Sequence, residues 1–313
     1  MIPMSNPGRA SRQTVGSVDG IPYWKMSGSG NDFIVVDNRR ALIPVDREVA
    51  FTQAVCDRDA SLGADGVVLI EHPNPSDDSI PVDFAWRYRN ADGSEGEFCG
   101  NGAMCAARYA FLNGISDSRT IFTTPAGMVF ATVADGPTDD RVAIGISDPS
   151  PVGPAVRLSV EGRSVTVHAV TVGVPHAVTF VDDIDNPFPE FGSGPDVFAA
   201  VGRAIRHHPH FAPAGTNLNA IAFRADGALL MRTYERGVEA ETLACGSGAI
   251  ASAAVATTLG RAASPVPVVV RGGNTLVASF SWDTNRRLAT NVSLAGHAQV
   301  ITTGALSRDV LGS

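Results

Sequence analysis

Lysine is almost missing from this chain. Lys25 is the single lysine among 24 basic residues in 313, and the rest are arginine. Enzymes that hold pyridoxal phosphate do so as a Schiff base on a lysine, so that class is open to this protein only through Lys25. Cysteine is scarce as well, with Cys56, Cys99, Cys105 and Cys245 the full complement of four. These are too few for a disulfide scaffold in a chain this long, and none has the CxxC spacing of a structural zinc site, so they read as thiols. Cys56 and Cys105 are expected to be small buried hydrophobes. Basic charge is short: 32 acidic residues leave a net charge of -8, with no basic stripe to attract phosphate backbones. No nucleic-acid partner is expected. No apolar run approaches the roughly 18 to 20 residues that a membrane helix needs, and the N-terminal stretch lacks the apolar centre of a signal peptide. The expectation is a cytoplasmic protein with no membrane contact.

What is present suits a folded enzyme. At 44% hydrophobic and 18% charged, the chain can bury one large core or two ordinary ones. Residues 1–20 are polar with scattered Gly and Ser and read as a flexible N-terminal arm. From Ile21 onward, β-rich runs at Phe33 to Asp37, Gly66 to Glu71, Val82 to Arg89, Arg119 to Thr123 and Met128 to Val133 surround one helix opened by Cys99. The second half repeats the plan. Strands are expected at Arg141 to Ser147, Ser164 to Val172, Ala177 to Val181, Ala220 to Arg224 and Ala228 to Tyr234. A helix opened by Cys245 follows, then strands at Val266 to Val270, Thr275 to Ser281 and Arg287 to Ser293. Two similar α+β halves are implied.

The repeat is visible in the residues. Glu95 to Ala103 (EGEFCGNGA) and Glu241 to Ala249 (ETLACGSGA) share E-x-x-x-C-G-x-G-A, and each runs into an alanine-rich stretch of high helix propensity. A Gly-x-Gly turn entering a helix leaves backbone N–H groups free at the positive end of the helix dipole, where a carboxylate can bind. The glycines remove the Cβ atoms that would block its approach, and a cysteine just ahead sits where the dipole favours thiolate. Two such turns suggest two thiols facing one substrate carbon. One thiolate would remove the α-proton from one face, the other thiol would protonate the opposite face, and amides from both helices would stabilise the carbanion. Such chemistry requires no cofactor, and none is expected.

Seven ordered blocks carry a family resemblance: MSGSGNDFIVVD (Met26 to Asp37), LGADGVVLIE (Leu62 to Glu71), NADGSE with CGNGA (Asn90 to Ala103), TPAG (Thr124 to Gly127), GVPHAV (Gly173 to Val178), GTNLN (Gly215 to Asn219) and RTYERG with ETLACGSGA (Arg232 to Ala249). In these the chain resembles the diaminopimelate epimerases. The resemblance implies an α+β fold of two pseudo-symmetric domains, each a curved, mostly antiparallel sheet wrapped around a central helix, with the active site between them and a homodimer as the usual assembly. The implied division is 21–133 and 134–296 for the two domains, with 297–313 returning to the first. It also implies an isomerase that interconverts LL- and meso-diaminopimelate in lysine and peptidoglycan precursor synthesis.

By the same resemblance Cys99 and Cys245 are the acid/base thiols, assisted by His176 and Glu235. Asn31, Asn90, Asn217 and Arg236 match residues that grip the substrate, Arg236 being suited to a bidentate hold on the distal carboxylate. Gly100, Asn101, Gly246 and Ser247 would supply amides around the reacting carboxylate. Three positions depart from the family pattern: Val174 where an Asn often precedes Pro-His, Met104 where an Arg often follows CGNGA, and Gly66 where some members have Gln. Val174 leaves open a racemase acting on another amino acid. A single-cysteine hydrolase using His176, or a binding module without chemistry, are the readings from other classes. The run Arg206 to His210 (RHHPH) lacks a fixed ligand spacing, and no metal is expected. Asp92 and Glu95 are read as turn and helix-entrance residues, and Asp182 to Asp196 as a connecting loop with a helix start.

Overall fold

Alanine fills both cysteine-led stretches, and small side chains let a sheet approach a helix closely. In the computed structural model, which describes residues 20–73, 80–96, 98–136 and 138–311, the chain is a mixed α/β protein. Nearly all of the expected N-terminal arm, residues 1–19, lies outside the described residues. The first run of elements is β1 (Ile21–Gly28), β2 (Asn31–Asp37), α1 (Glu48–Cys56), β3 (Gly66–Glu71), β4 (Phe84–Asn90), β5 (Glu95–Gly96), α2 (Gly100–Leu112), β6 (Arg119–Thr124), β7 (Gly127–Val133) and β8 (Arg141–Gly145). The second is β9 (Ala155–Val160), β10 (Arg163–Val172), β11 (Val174–Phe180), α3 (Asp196–Arg206), β12 (Asn217–Phe223), β13 (Leu229–Glu235), β14 (Ala240–Thr242), α4 (Gly246–Thr258), β15 (Val266–Val269), β16 (Thr275–Asp283) and β17 (Leu288–Leu306).

Pairings of the first run recur in the second. β2 lies parallel to β3 with Phe33 opposite Gly66, and β11 lies parallel to β12 with His176 opposite Asn217. β4 joins β3 and β5 antiparallel and β6 parallel, as β13 joins β12 and β14 antiparallel and β15 parallel. The runs meet where β8 pairs antiparallel with β17, Ile144 lying opposite Leu294. Beyond that seam β17 pairs with β1, from Gly28 against Ala298 to Ile21 against Leu306.

Both alanine-rich helices are buried on every side. Asn101 to Ala110 of α2 and Gly248 to Ala256 of α4 are enclosed, and one apolar core takes in both together with strands of both runs. Met104, one of the departures, belongs to that core, with its sulfur against Gly296 of β17. Smaller cores sit beneath α1 against β2 and β3, and beneath α3 against β10 to β13.

Several elements exceed the sequence expectation. β1 and β9 form strands, and α1 a helix, where none was expected. The 19-residue β17 runs well past the expected end at Ser293. α1 (EVAFTQAVC) mixes helix formers with β-branched residues and has no side-chain cap at Arg47, so its burial against β3 decides its conformation rather than its propensity. α3 begins at Asp196, where a helix start was expected after the connecting loop.

Candidate functional site

The two cysteine turns have almost the same backbone. Cys99 precedes α2 at φ -139°, ψ 114°, and Cys245 precedes α4 at φ -138°, ψ 109°. Extended geometry at this position is what a helix start requires, and it leaves the next N–H groups free of partners within the helix. Both turns rest on the seam between the runs. A Cβ on Gly100 would lie 3.5 Å from Ile144 Cδ1, and one on Gly246 would lie 2.8 Å from Leu294 Cδ2. Because Ile144 and Leu294 are cross-strand partners, the two helix N-termini are set side by side. The two thiols are close enough for Cys99 to act electrostatically on Cys245.

Their electrostatics correct one expectation. The sequence reading had the helix dipole favouring thiolate, yet burial pushes Cys99 up to about 11 and Cys245 up to about 12. Backbone N–H groups of Gly102 and Asn101 lower Cys99, while the Ser247 hydroxyl, 3.6 Å from Cys245 Sγ, and the Gly248 N–H lower Cys245. These donors act in the expected direction and lose to desolvation. Glu235, at the end of β13, adds to the upward shift of both thiols, so its carboxylate lies within electrostatic reach of each. Its own pKa is raised by burial, partly offset by the Thr242 hydroxyl.

His176 on β11 is 1% exposed, and burial, with a smaller contribution from the Arg236 charge, pushes it down to about 3. Its Nδ1 lies 3.0 Å from Asn219 Nδ2, while Asn219 Oδ1 accepts from Thr233 Oγ1 at 2.9 Å. An unfolded histidine takes up its proton near pH 6.5, but this one stays neutral in the fold until about 3, so stability is lost as pH falls between those values. At pH 5 that loss is about 2 kcal/mol. Glu235, with its raised pKa, works in the opposite sense and is common to wild type and a His176→Gln variant. Urea unfolding at pH 7 and pH 5 is expected to show the wild type losing about 2 kcal/mol more than the variant. Equal losses would mean that His176 is charged in the fold.

The substrate-gripping candidates fall into two groups. In the first run, Asn90 ends β4 opposite Gly66, accepting from the Tyr88 hydroxyl at 2.9 Å and donating to Ser94 Oγ at 3.0 Å. Gly66 makes room for this: a Cβ there would lie 2.6 Å from the Tyr88 ring and 3.1 Å from its hydroxyl. Asn31 donates to Asp65 Oδ2 at 2.9 Å and accepts from Asn101 Nδ2 at 2.8 Å. In the second run, Asn217 Oδ1 accepts the Arg236 backbone N–H at 2.6 Å, and the Arg236 guanidinium donates to the Ala214 carbonyl at 3.2 Å. Val174 begins β11, half-buried and two residues from His176. Arg206 to His210 fall at the end of α3 and the turn beyond, where His208 Nδ1 accepts from the His210 backbone N–H.

Sequence reasoning missed Asn219, Thr233, Tyr88 and Asp65. Asn219 had a readable signal, since it stands two residues from Asn217 on a strand and so points to the same side. Gly248 is shaped around it: a Cβ there would lie 2.4 Å from Asn219 Oδ1 and 3.2 Å from Cys245 Sγ. Gly248→Ala is therefore expected to cost at least about 10²-fold in kcat by displacing the thiol, while melting temperature falls by only a few degrees. Activity near wild type would show that α4 shifts to accept the methyl.

Comparisons with known proteins give the family and the fold. The family model for diaminopimelate epimerase matches residues 23–147 and 168–299. A diaminopimelate epimerase from Aquifex aeolicus is 38% identical over 296 residues, covering 92% of this chain and 99% of the relative. One from Hydrogenobaculum is 37% identical, covering 91% of this chain and 98% of the relative. Among solved structures, a probable proline racemase from Agrobacterium radiobacter superposes with a TM-score of 0.62 at 15% identity, over 93% of this chain and 96% of that one, a likeness of fold alone.

Proposed function

The chain belongs to the diaminopimelate epimerase family, and from that premise we propose that Cys99 and Cys245 perform its reaction by passing a proton across the substrate's α-carbon. The enzyme is an isomerase of lysine biosynthesis that interconverts LL- and meso-2,6-diaminopimelate. The observation carrying the mechanism is the pair of cysteine turns, equal in backbone and set side by side on the β8–β17 seam.

With the reacting carboxylate held by N–H groups at the starts of α2 and α4, one thiolate sulfur takes the α-proton. The electron pair of the C–H bond passes to Cα and its carboxylate, and the opposite thiol delivers its proton to the other face. The two sulfurs thereby exchange protonation states, and solvent exchange resets them. Burial keeps both thiols protonated, so one must lose its proton before or during binding. Glu235, within electrostatic reach of both sulfurs, takes that proton. Its raised pKa narrows the gap between donor and acceptor. His176 stays neutral and holds position through Asn219. Gly100, Asn101, Gly246 and Ser247 provide the amides around the reacting carboxylate. Asn31, Asn90, Asn217 and Arg236 hold the remaining polar groups, with Arg236 on the distal carboxylate.

The recurring strand pairings are read as two pseudo-symmetric domains, 21–133 and 134–296, each a curved, mostly antiparallel sheet around a central helix, with 297–313 returning to the first. The assembly is a homodimer in the cytoplasm. No described helix is long and apolar enough to cross a membrane.

Proton NMR in D2O tests the reaction, using reduced protein with LL-diaminopimelate beside a panel of L-amino acids with one α-centre. Deuterium entering one α-position of diaminopimelate as the meso isomer forms is the expected result. Val174, which offers no polar side chain beside His176, supports a second reading in which another amino acid is inverted. Exchange confined to a panel member would select it.

A further inference from the structure

The resemblance makes His176 a helper of the thiols, and a neutral imidazole has two forms. With its proton on Nδ1 it offers a lone pair at Nε2, and with its proton on Nε2 it offers one at Nδ1. The ring is 1% exposed, and burial keeps it uncharged. Its Nε2 is buried with no hydrogen-bond partner among the described residues, so that atom does not choose between the forms. The choice is made at Nδ1, where Asn219 Nδ2 lies 3.0 Å away.

An isolated amide could face either way. That of Asn219 is held by its oxygen from two sides. Thr233 Oγ1 donates to Asn219 Oδ1 at 2.9 Å. The same oxygen is turned to the first turn of α4, since a Cβ on Gly248 would lie 2.4 Å from Oδ1 but 3.3 Å from the amide carbon Cγ. That turn is the positive end of the helix dipole, where an oxygen is favoured over an NH2 group. Reversing the amide would set its N–H groups against that end and deprive the Thr233 proton of its acceptor. With Asn219 fully buried and Thr233 2% exposed, solvent offers no replacement. Asn219 therefore donates to Nδ1, and the proton of the neutral ring sits on Nε2.

We propose that Asn219 is a positioning residue that locks His176 in the tautomer protonated on Nε2, leaving the ring no lone pair with which to take a proton from a thiol. Proton uptake then falls to Glu235 alone: the S–H bond breaks, its electron pair stays on sulfur, and the proton bonds to a carboxylate oxygen of Glu235. This rests on the epimerase reading above and divides its two helpers into a base and a fixed, neutral ring.

Nitrogen-15 NMR of the reduced protein at pH 7, labelled at histidine and without substrate, tests the lock. The signals missing from His176→Gln identify the ring. The expected spectrum has the proton on Nε2 and a bare Nδ1, and a proton on Nδ1 overturns the proposal. Asn219→Asp, whose carboxylate only accepts, is expected to draw a proton onto Nδ1. A ring unchanged in that variant removes Asn219 from the role. Where Asn219→Asp does not fold, Asn219→Ala is expected to move the Nδ1 resonance, because the bare nitrogen loses its donor, and an unmoved resonance has the same meaning. Kinetics test the division of roles. Glutamine takes up no proton at either position, so His176→Gln is expected to keep at least about tenfold more kcat than Glu235→Gln. A His176→Gln variant as slow as Glu235→Gln overturns that division. Wild-type protein that does not turn over diaminopimelate would instead defeat the substrate reading, and the spectrum would still test the lock.

Discussion

Cys99→Ala and Cys245→Ala are each expected to lower epimerisation by about 10³- to 10⁴-fold, and the double variant to be no worse than the poorer single. Inversion needs a base on one face and an acid on the other, so removing either sulfur stops the whole cycle. Neither side chain caps its helix, and so the melting temperature should stay within a few degrees of wild type. A variant keeping one thiol can still exchange the α-proton that it faces without inverting the centre. In D2O, Cys245→Ala should therefore deuterate one stereoisomer and Cys99→Ala the other, which assigns each thiol its face. Inversion persisting in either single variant would remove that cysteine from the mechanism.

Glu235→Gln should produce two opposite changes. The carboxylate raises the pKa of both thiols, so its loss lets both ionise more readily, and alkylation by iodoacetamide at a fixed pH should become faster. Turnover should fall by about 10²- to 10³-fold, because the group that accepts the thiol proton has gone. That corresponds to about 3 to 4 kcal/mol of barrier. A structural role alone would lower turnover without accelerating alkylation. If both turnover and alkylation rate are unchanged, Glu235 is not coupled to the thiols in solution.

The two cysteine turns were legible because their chemistry depends on local backbone. Gly-x-Gly before an alanine-rich run specifies a helix start with free amides whatever surrounds it, and the repeat marks both copies. Their pKa values were not legible, because burial by the surrounding protein outweighs the amides that the sequence does reveal. Long-range partners were hidden for a similar reason. Asp65 reaches Asn31 only because β2 and β3 pair in parallel, and Asn219 reaches His176 only because β11 and β12 do. Gly66 illustrates how a departure from family pattern gains meaning in three dimensions, since the space it leaves is occupied by the Tyr88 ring that orients Asn90. Helix α1 and strands β1 and β9 escaped because their short mixed runs carry little periodicity, and neighbouring elements settle their conformation.

The pairing of β17 with β1 imposes an order on synthesis. Strand β1 is the first described element to leave the ribosome, and the partner on its outer edge is the last described strand. Until β17 emerges, the nascent first half has unpaired N–H and C=O groups along the outer edge of β1 and along the edge of β8 that β17 later covers, the kind of surface that recruits other chains. The inner edge of β1 is covered early by β2, and Lys25 Nζ, 3.2 Å from Asp32 and donating to the Leu62 carbonyl at 2.9 Å, has its charge paired within the first half.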